Sequence, residues 1–313
     1  MKNIAKKFLT LIITLFIVSL LAFLAFQVIP GDPTTKMLGT EATEEAKAAL
    51  RAELGLDGPA LSRYWNWLTA FVTGDMGTSY SYRMPVAEML SDKLPITFLL
   101  SVMSFVLTVV VSIPLGIWAG SAKSKAADVA ISALDQMVMS VPPFFIGILA
   151  TWIFGTVLNV FSTGSFISYT ESWSGCIGYL ILPACSIAIP RIAMTVRMLR
   201  SSIIAELQKD YVRTARSRGA DRGQILSRHV LKNALIPVIT FLAVSAAEIM
   251  TGSIIIERVF AIPGVSQLLM TSISGRDFPV VQAIVVILAA WIVIVNFAAD
   301  ILYRLADPRI RVR

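Results

Sequence analysis

The chain has 313 residues, 56% of them hydrophobic and only 15% charged, and a net charge of +7, with a mean hydropathy of +0.74. Soluble domains are about 45–50% apolar and about 25% charged, so this chain has too little charge to coat a water-soluble globule, and a membrane-embedded protein is the expectation. A single histidine, His229, and two cysteines, Cys176 and Cys185, at no zinc or redox spacing leave a His/Cys metal centre close to excluded, and a histidine-based triad too unless His229 supplies it.

Crossing a bilayer as a helix takes about 20 predominantly apolar residues. In chain order the runs Phe8–Phe26, Ile96–Trp118, Met137–Phe161, Tyr179–Met198, Ala234–Ile256 and Val280–Tyr303 meet that length. They predict an all-α integral membrane fold of about six spans. The third run carries the Pro142–Pro143 pair, and the fourth is expected to be interrupted at Pro183 and Pro190. Proline is tolerated there when neighbouring helices or water satisfy the freed carbonyls. Lys2, Lys6 and Lys7 ahead of the first run also fit a signal peptide. That run is longer than a usual secretory apolar core, and no Ala-x-Ala site closes it, so an uncleaved first span is expected.

Orientation follows the lysines and arginines, which concentrate in cytoplasmic loops. With the N-terminus inside, the inner segments hold Lys2, Lys6 and Lys7, then Lys123 and Lys125, then a dense run from Arg191 to Lys232, then Arg304, Arg309, Arg311 and Arg313. Both termini are therefore expected inside. The basic excess is topological, and no nucleic-acid partner is needed to explain it. The chain divides on this reading into a first span (residues 1–29), a long outer segment (30–94) and a transmembrane domain (95–313). The outer segment holds a helix-like stretch, Glu41–Leu54, and the aromatic cluster Tyr64, Trp65 and Trp67. Tryptophan and tyrosine favour the headgroup level, so this segment is expected to lie along or cap the outer face. A second outer loop, Glu257–Pro279, keeps apolar residues such as Phe260, Ile262 and Leu268, which predicts a short re-entrant or surface helix.

The inner loop 200–232 is the most informative segment. Ile203, Ile204, Leu207, Tyr211 and Ala215 recur at helical spacing, predicting one helix over Ile203–Arg218. Gly219 ends it, as glycine does just beyond a helix C-terminus. A second short helix follows, with Ile225, Leu226, Val230 and Leu231 as its apolar stripe. Two readings fit such a pair of helices with a glycine elbow and an arginine rim. The loop packs on lipid headgroups, or it docks in the groove of a soluble partner.

The run Asp210-Tyr211-Val212-Arg213-Thr214-Ala215-x-x-x-Gly219, followed by His229-x-x-x-Asn233-Ala234-Leu235-x-Pro237, resembles the "EAA" loop of permeases of ATP-binding cassette importers. It is closest to the form of the dipeptide, oligopeptide and nickel permease family, in its first, "B-type" permease subunit. The likeness extends along nearly the whole chain. It takes in Pro30-Gly31-Asp32-Pro33, Leu54-Gly55-Leu56-Asp57, Arg63-Tyr64, Gly74-Asp75-Met76-Gly77 with Ser79, Arg83-x-Pro85-Val86 and Leu94-Pro95-x-Thr97. Toward the C-terminus it adds Glu257, Phe260, Pro263-Gly264, Arg276-Asp277-x-Pro279-Val280-x-Gln282 and Asp307-Pro308-Arg309. The chain departs from the family at Arg213, where the general motif has glutamate, at Phe161-Ser162-Thr163-Gly164, and at Val265-Ser266 after Pro263-Gly264. The last two fall on outer loops and leave the substrate open.

The resemblance implies a multi-pass protein of the bacterial cytoplasmic membrane that performs no bond chemistry itself. It implies a second, homologous permease, two cytoplasmic ATPase subunits that bind ATP and Mg, and an extracytoplasmic substrate-binding protein. The chain would bind no cofactor, and it contains no G-x-x-x-x-G-K-[ST] phosphate loop. Tyr211, Arg213, Ala215, Gly219, His229 and Pro237 would form the ATPase-coupling loop. Short peptides are the leading cargo, with nickel or a metal chelate as the alternative. A stand-alone secondary transporter or channel is a more distant reading, since no inverted repeat is visible. A membrane enzyme lacks a catalytic constellation.

Ionisable residues inside spans are costly and functional by default. Glu248 lies deep in the fifth run, and either faces the pore or pairs with a residue such as Arg191. Asp135 and Asp300 fall near inner ends of spans, where water or Arg304 would meet them. His229 is expected to pack or cap near the elbow. Cys176 is expected outside, and Cys185 in the fourth span, both as free thiols.

Overall fold

The computed structural model describes residues 2–28, 33–39, 42–53, 55, 57–121 and 125–306. Pro30, Gly31, Asp32, Glu41, Leu54, Leu56, Lys123 and the 307–313 segment lie outside them, as do the side chains of Lys2, Lys6, Asp300 and Arg304. The described residues are helical apart from turns and one isolated antiparallel bridge, Thr78 to Pro85. Among the described residues five helices are long and apolar enough to cross a membrane, and six crossings result if the bent pair is one span.

The chain separates into two compact units, Met1–Thr97 with Pro263–Ile294, and Phe98–Ile262 with Val295–Arg313. The first contains α1 (Lys2–Val28), α2 (Pro33–Leu38), α3 (Glu44–Glu53), α4 (Ala60–Val72), α5 (Val86–Ser91), the start of α6 (Lys93–Ser121), α13 (Val265–Ser274) and most of α14 (Phe278–Ala306). The second contains the rest of α6, α7 (Lys125–Met139), α8 (Pro143–Thr151), α9 (Trp173–Leu207), α10 (Asp210–Ser217), α11 (Arg222–Gln224), α12 (Leu231–Val259) and the end of α14.

In the first unit, α4 turns its aromatic face onto α1. Tyr64 is buried, its hydroxyl shares a hydrogen bond with Ser19 Oγ at 2.8 Å, and its ring meets Phe16 and Phe23 edge-on. A phenol beside a polar Ser19 in the middle of a span satisfies two hydroxyls that lipid could not, which is why the cluster folds against the helix. The same unit contains a clasp. Buried Asp277 accepts from Ser79 Oγ at 2.5 Å, Tyr80 N at 3.0 Å and Ser81 N at 3.1 Å. It ties the turn after Gly77 to the α13–α14 corner. Tyr80 has its phenol pKa raised, chiefly by burial. The short helix expected in the second outer loop is α13, with Val265 and Leu268 buried.

In the second unit two proline expectations divide. Pro142 and Pro143 break the third span: α7 and α8 meet at an 88° bend. Pro142 is extended, and Pro143 starts the new helix, where its missing N–H costs nothing. The crossing therefore starts earlier than Met137 and is bent. Pro183 and Pro190 do not interrupt the fourth span. Both are buried inside an unbroken 35-residue α9. Cys176 lies buried near the start of α9, and both cysteines are free. Close packing sets α6 on α9. A Cβ on Gly116 would sit 2.8 Å from Leu199 Cδ2, and one on Gly120 would sit 2.9 Å from Ile203 Cβ. Only glycine allows the backbones this near.

Candidate functional site

The loop 200–232 is built as a continuation of the long helices on either side of it. The helix expected over Ile203–Arg218 is broken: α9 stops at Leu207, and α10 starts at Asp210 after an extended Lys209. The break lets α10 leave the direction of α9, so Val212 becomes the buried anchor while Tyr211 and Ala215 are partly buried beside it. α10 ends in a Schellman motif. Gly219 has φ +84°, its N–H donates to Arg216 O at 3.0 Å, and Ala220 N donates to Ala215 O at 3.2 Å. Nothing stands within 4 Å of the place a Cβ on Gly219 would occupy. Backbone conformation alone, not crowding, demands glycine there.

Asp221 then caps the next helix, accepting from Gln224 N at 2.9 Å. That helix does not end before the fifth span. It passes through a π-helical turn, Ile225–Val230, straight into α12. Ile225 and Val230 are buried, and with Leu199, Ile203, Val212, Ala234, Val238 and Leu242 they form one apolar core. Ile113 and Ile117 of α6 pack against it. Loop and spans α6, α9 and α12 thus share a single cluster. Close-packed interiors move as bodies and do not deform continuously.

A polar hub lies at the base of α10. Glu206 accepts from Lys209 Nζ at 2.5 Å and from the Tyr211 hydroxyl at 2.5 Å, and Tyr211 also accepts from Asn233 Nδ2 at 3.4 Å. Burial and the bond to Glu206 raise the Tyr211 pKa, which keeps it a neutral donor. Arg222 Nη2 donates to Ser121 O at 2.8 Å, joining the loop to the end of α6.

The sequence-predicted residues therefore separate into two groups. Tyr211, Ala215 and Gly219 set the geometry of the elbow. Arg213 is exposed, 3.7 Å from Asp210, and His229 is exposed on the π-helical turn rather than packed or capping. Pro237 is an exposed residue inside α12. With Arg216, Arg218, Arg222 and Arg228, all exposed, they present a basic outer face. The sequence reading missed Glu206 and the anchor Val212. Glu206 and Lys209 stand three apart, the one local sign of their pairing.

Deeper in this unit, Arg191 Nη1 lies 3.1 Å from Glu248 Oε2. Asp135 is buried on α7 with Arg197 as its neighbouring charge, not at a watery end. Arg197 Nη1 donates to Gln136 Oε1 at 3.1 Å. Among the described residues no group of three or more His, Cys, Asp or Glu side chains is placed to hold a metal ion.

Comparison with known proteins gives matches over the whole length. Residues 112–312 match the family described as binding-protein-dependent transport system inner membrane component, and residues 1–101 match its N-terminal counterpart. A Brucella abortus (strain 2308) protein named as a peptide transport system permease is 35% identical over 308 residues, covering 98% of each chain. A Sinorhizobium fredii protein named as a peptide ABC transporter permease is 32% identical over 308 residues, again 98% of each. The nickel import system permease protein NikB of Staphylococcus aureus (strain MRSA252) is 32% identical over 315 residues, covering 100% of this chain and 92% of that protein.

Proposed function

Since the chain belongs to the binding-protein-dependent transport system inner membrane component family, and so is the non-catalytic, multi-pass inner-membrane permease of an ATP-binding cassette importer, we propose that it carries short peptides across the membrane. Permeases of this family work in complexes with a separate ATPase and a binding protein, and bind no cofactor of their own. That replaces the stand-alone transporter and membrane-enzyme readings. Names of relatives at 35% identity support peptides; nickel, supported by a relative at 32%, is the second reading.

In the proposed assembly a second, homologous permease completes the pathway, two ATPase subunits sit at the cytoplasmic side, and the binding protein delivers cargo to the outer segment 30–94. Both termini and the loop 200–232 are cytoplasmic. ATP binding closes the ATPase pair and pushes on α10. The pathway then passes from inward-open to outward-open, and Glu248 lines it.

The observation that carries this reading is the shared apolar core of loop and spans. A push on α10 cannot be absorbed by a hinge when Val212, Ile225 and Val230 are packed on Leu199 and Ile203. The basic rim suits an acidic groove in the ATPase.

Uptake of a labelled dipeptide, a labelled oligopeptide and nickel ion, in cells with and without this chain, tests the cargo. Loss of peptide uptake alone is expected. Loss of nickel uptake alone would move the chain to the metal branch with the coupling mechanism intact.

A further inference from the structure

Glu248 belongs to an open stripe on the second half of α12. Val244, Glu248, Thr251 and Ile255 are all exposed and recur at three or four residues, with exposed Gly252 beside Thr251. A Cβ on Gly252 would meet nothing within 4 Å. An ionised group at mid-span is not turned to lipid at acceptable cost, so this stripe faces water or protein.

The pair that Glu248 makes is not built as a structural lock. Arg191 and Glu248 meet through one contact, Nη1 to Oε2 at 3.1 Å, rather than the two-pronged geometry open to a guanidinium and a carboxylate. The Glu248 side chain is 61% exposed while that of Arg191 is 18% exposed. Arg191 is thus the more enclosed partner, and the contact with Glu248 engages one of its five donors, while Glu248 is the looser partner.

We propose that Arg191 is a specificity-determining residue of the permease: it exchanges Glu248 for a carboxylate on the passing cargo. This rests on the reading of Glu248 as pathway-lining. The exchange replaces one charge-assisted hydrogen bond by another, so it adds little barrier to passage. A cargo lacking a carboxylate has nothing to offer Arg191, and it must pass a closed ion pair. The carboxylate is a peptide C-terminus or belongs to the chelator of a metal ion. For a zwitterionic peptide the released Glu248 takes the ammonium group.

The test uses the complete importer in proteoliposomes, with uptake of a labelled tripeptide compared with that of its C-terminal amide, and nickel with a carboxylate chelator compared with nickel and a neutral chelator. Reading the ratio within each pair cancels differences in assembly and in the binding protein. Arg191→Gln is expected to lower the free-acid preference about tenfold, the size of one lost hydrogen bond to a charged group, and Arg191→Lys to keep most of it. Arg191→Gln with Glu248→Gln removes the unpaired charge and is expected to show the same lowered ratio. Whichever pair responds identifies the source of the carboxylate. A ratio unchanged by Arg191→Gln in both pairs overturns the proposal.

Thr251→Cys, in a background of Cys176→Ser and Cys185→Ser, separates the two layers. Labelling by a charged, membrane-impermeant thiol reagent is expected. Labelling with an unchanged ratio defeats the role of Arg191 alone. No labelling in either nucleotide state defeats the pathway reading and the proposal with it.

Discussion

Replacing Gly219 by valine acts first through backbone preference, because nothing lies within 4 Å of the place its Cβ would take. At φ +84° an L-residue is disfavoured by roughly 1–2 kcal/mol, and a β-branched one is a genuine outlier. Escape from that strain breaks the bonds from Gly219 N to Arg216 O and from Ala220 N to Ala215 O, and α10 loses its fixed end. A penalty of about 1.4 kcal/mol is tenfold in population, so Gly219→Val is expected to lower ATP-driven uptake about tenfold, with membrane insertion intact. Asparagine tolerates the left-handed region, so Gly219→Asn should retain most of the activity. The assay is initial uptake in proteoliposomes at equal permease content, alongside ATPase copurification. Normal transport by the valine variant refutes the elbow argument. Equal loss in the asparagine and valine variants would show that bulk at the docking face, not φ, is what matters.

Gly120→Ala forces a Cβ to 2.9 Å from Ile203 Cβ, and overpacking of this kind costs about 1–3 kcal/mol; a lowered melting temperature in detergent is expected, whereas Gly252→Ala, which meets open space, should not lower it. Asp277→Ala leaves Ser79 Oγ, Tyr80 N and Ser81 N without their acceptor, about 1–3 kcal/mol for each group that stays unpaired; faster cleavage near Arg83 by external protease reads the released turn. Tyr211→Phe removes the donor to Glu206, worth about 1.5–3 kcal/mol as a bond to a charged group, and a reduced yield of copurified ATPase is the expected measurement.

Composition and periodicity made much of this molecule legible, because both report on local chain properties. The apolar runs coincide with the five helices long enough to cross and overlap the bent pair, since oil content and length decide what a bilayer accepts. Gly219 was legible as a helix end, since only a residue without Cβ adopts its φ freely. The Pro142–Pro143 pair marked the third span but not its 88° bend. Pro183 and Pro190 misled, because α9 runs through both without a break, as proline inside membrane helices allows. The break at Gln208–Lys209 had no signature in spacing, as Ile203, Leu207 and Tyr211 keep helical period across it.

What the sequence by itself determined was the membrane nature of the chain, its helical class, the glycine elbow and the family. Each of these rests on residue type and near-neighbour spacing. Tertiary structure alone decided which distant groups meet. Tyr64 closes on Ser19 across 45 positions, Arg191 on Glu248 across 57, and Asp277 on Ser79 across 198. No periodicity encodes such pairings: they follow from how helices pack, and a side chain's partner is fixed only once neighbouring helices set its surroundings.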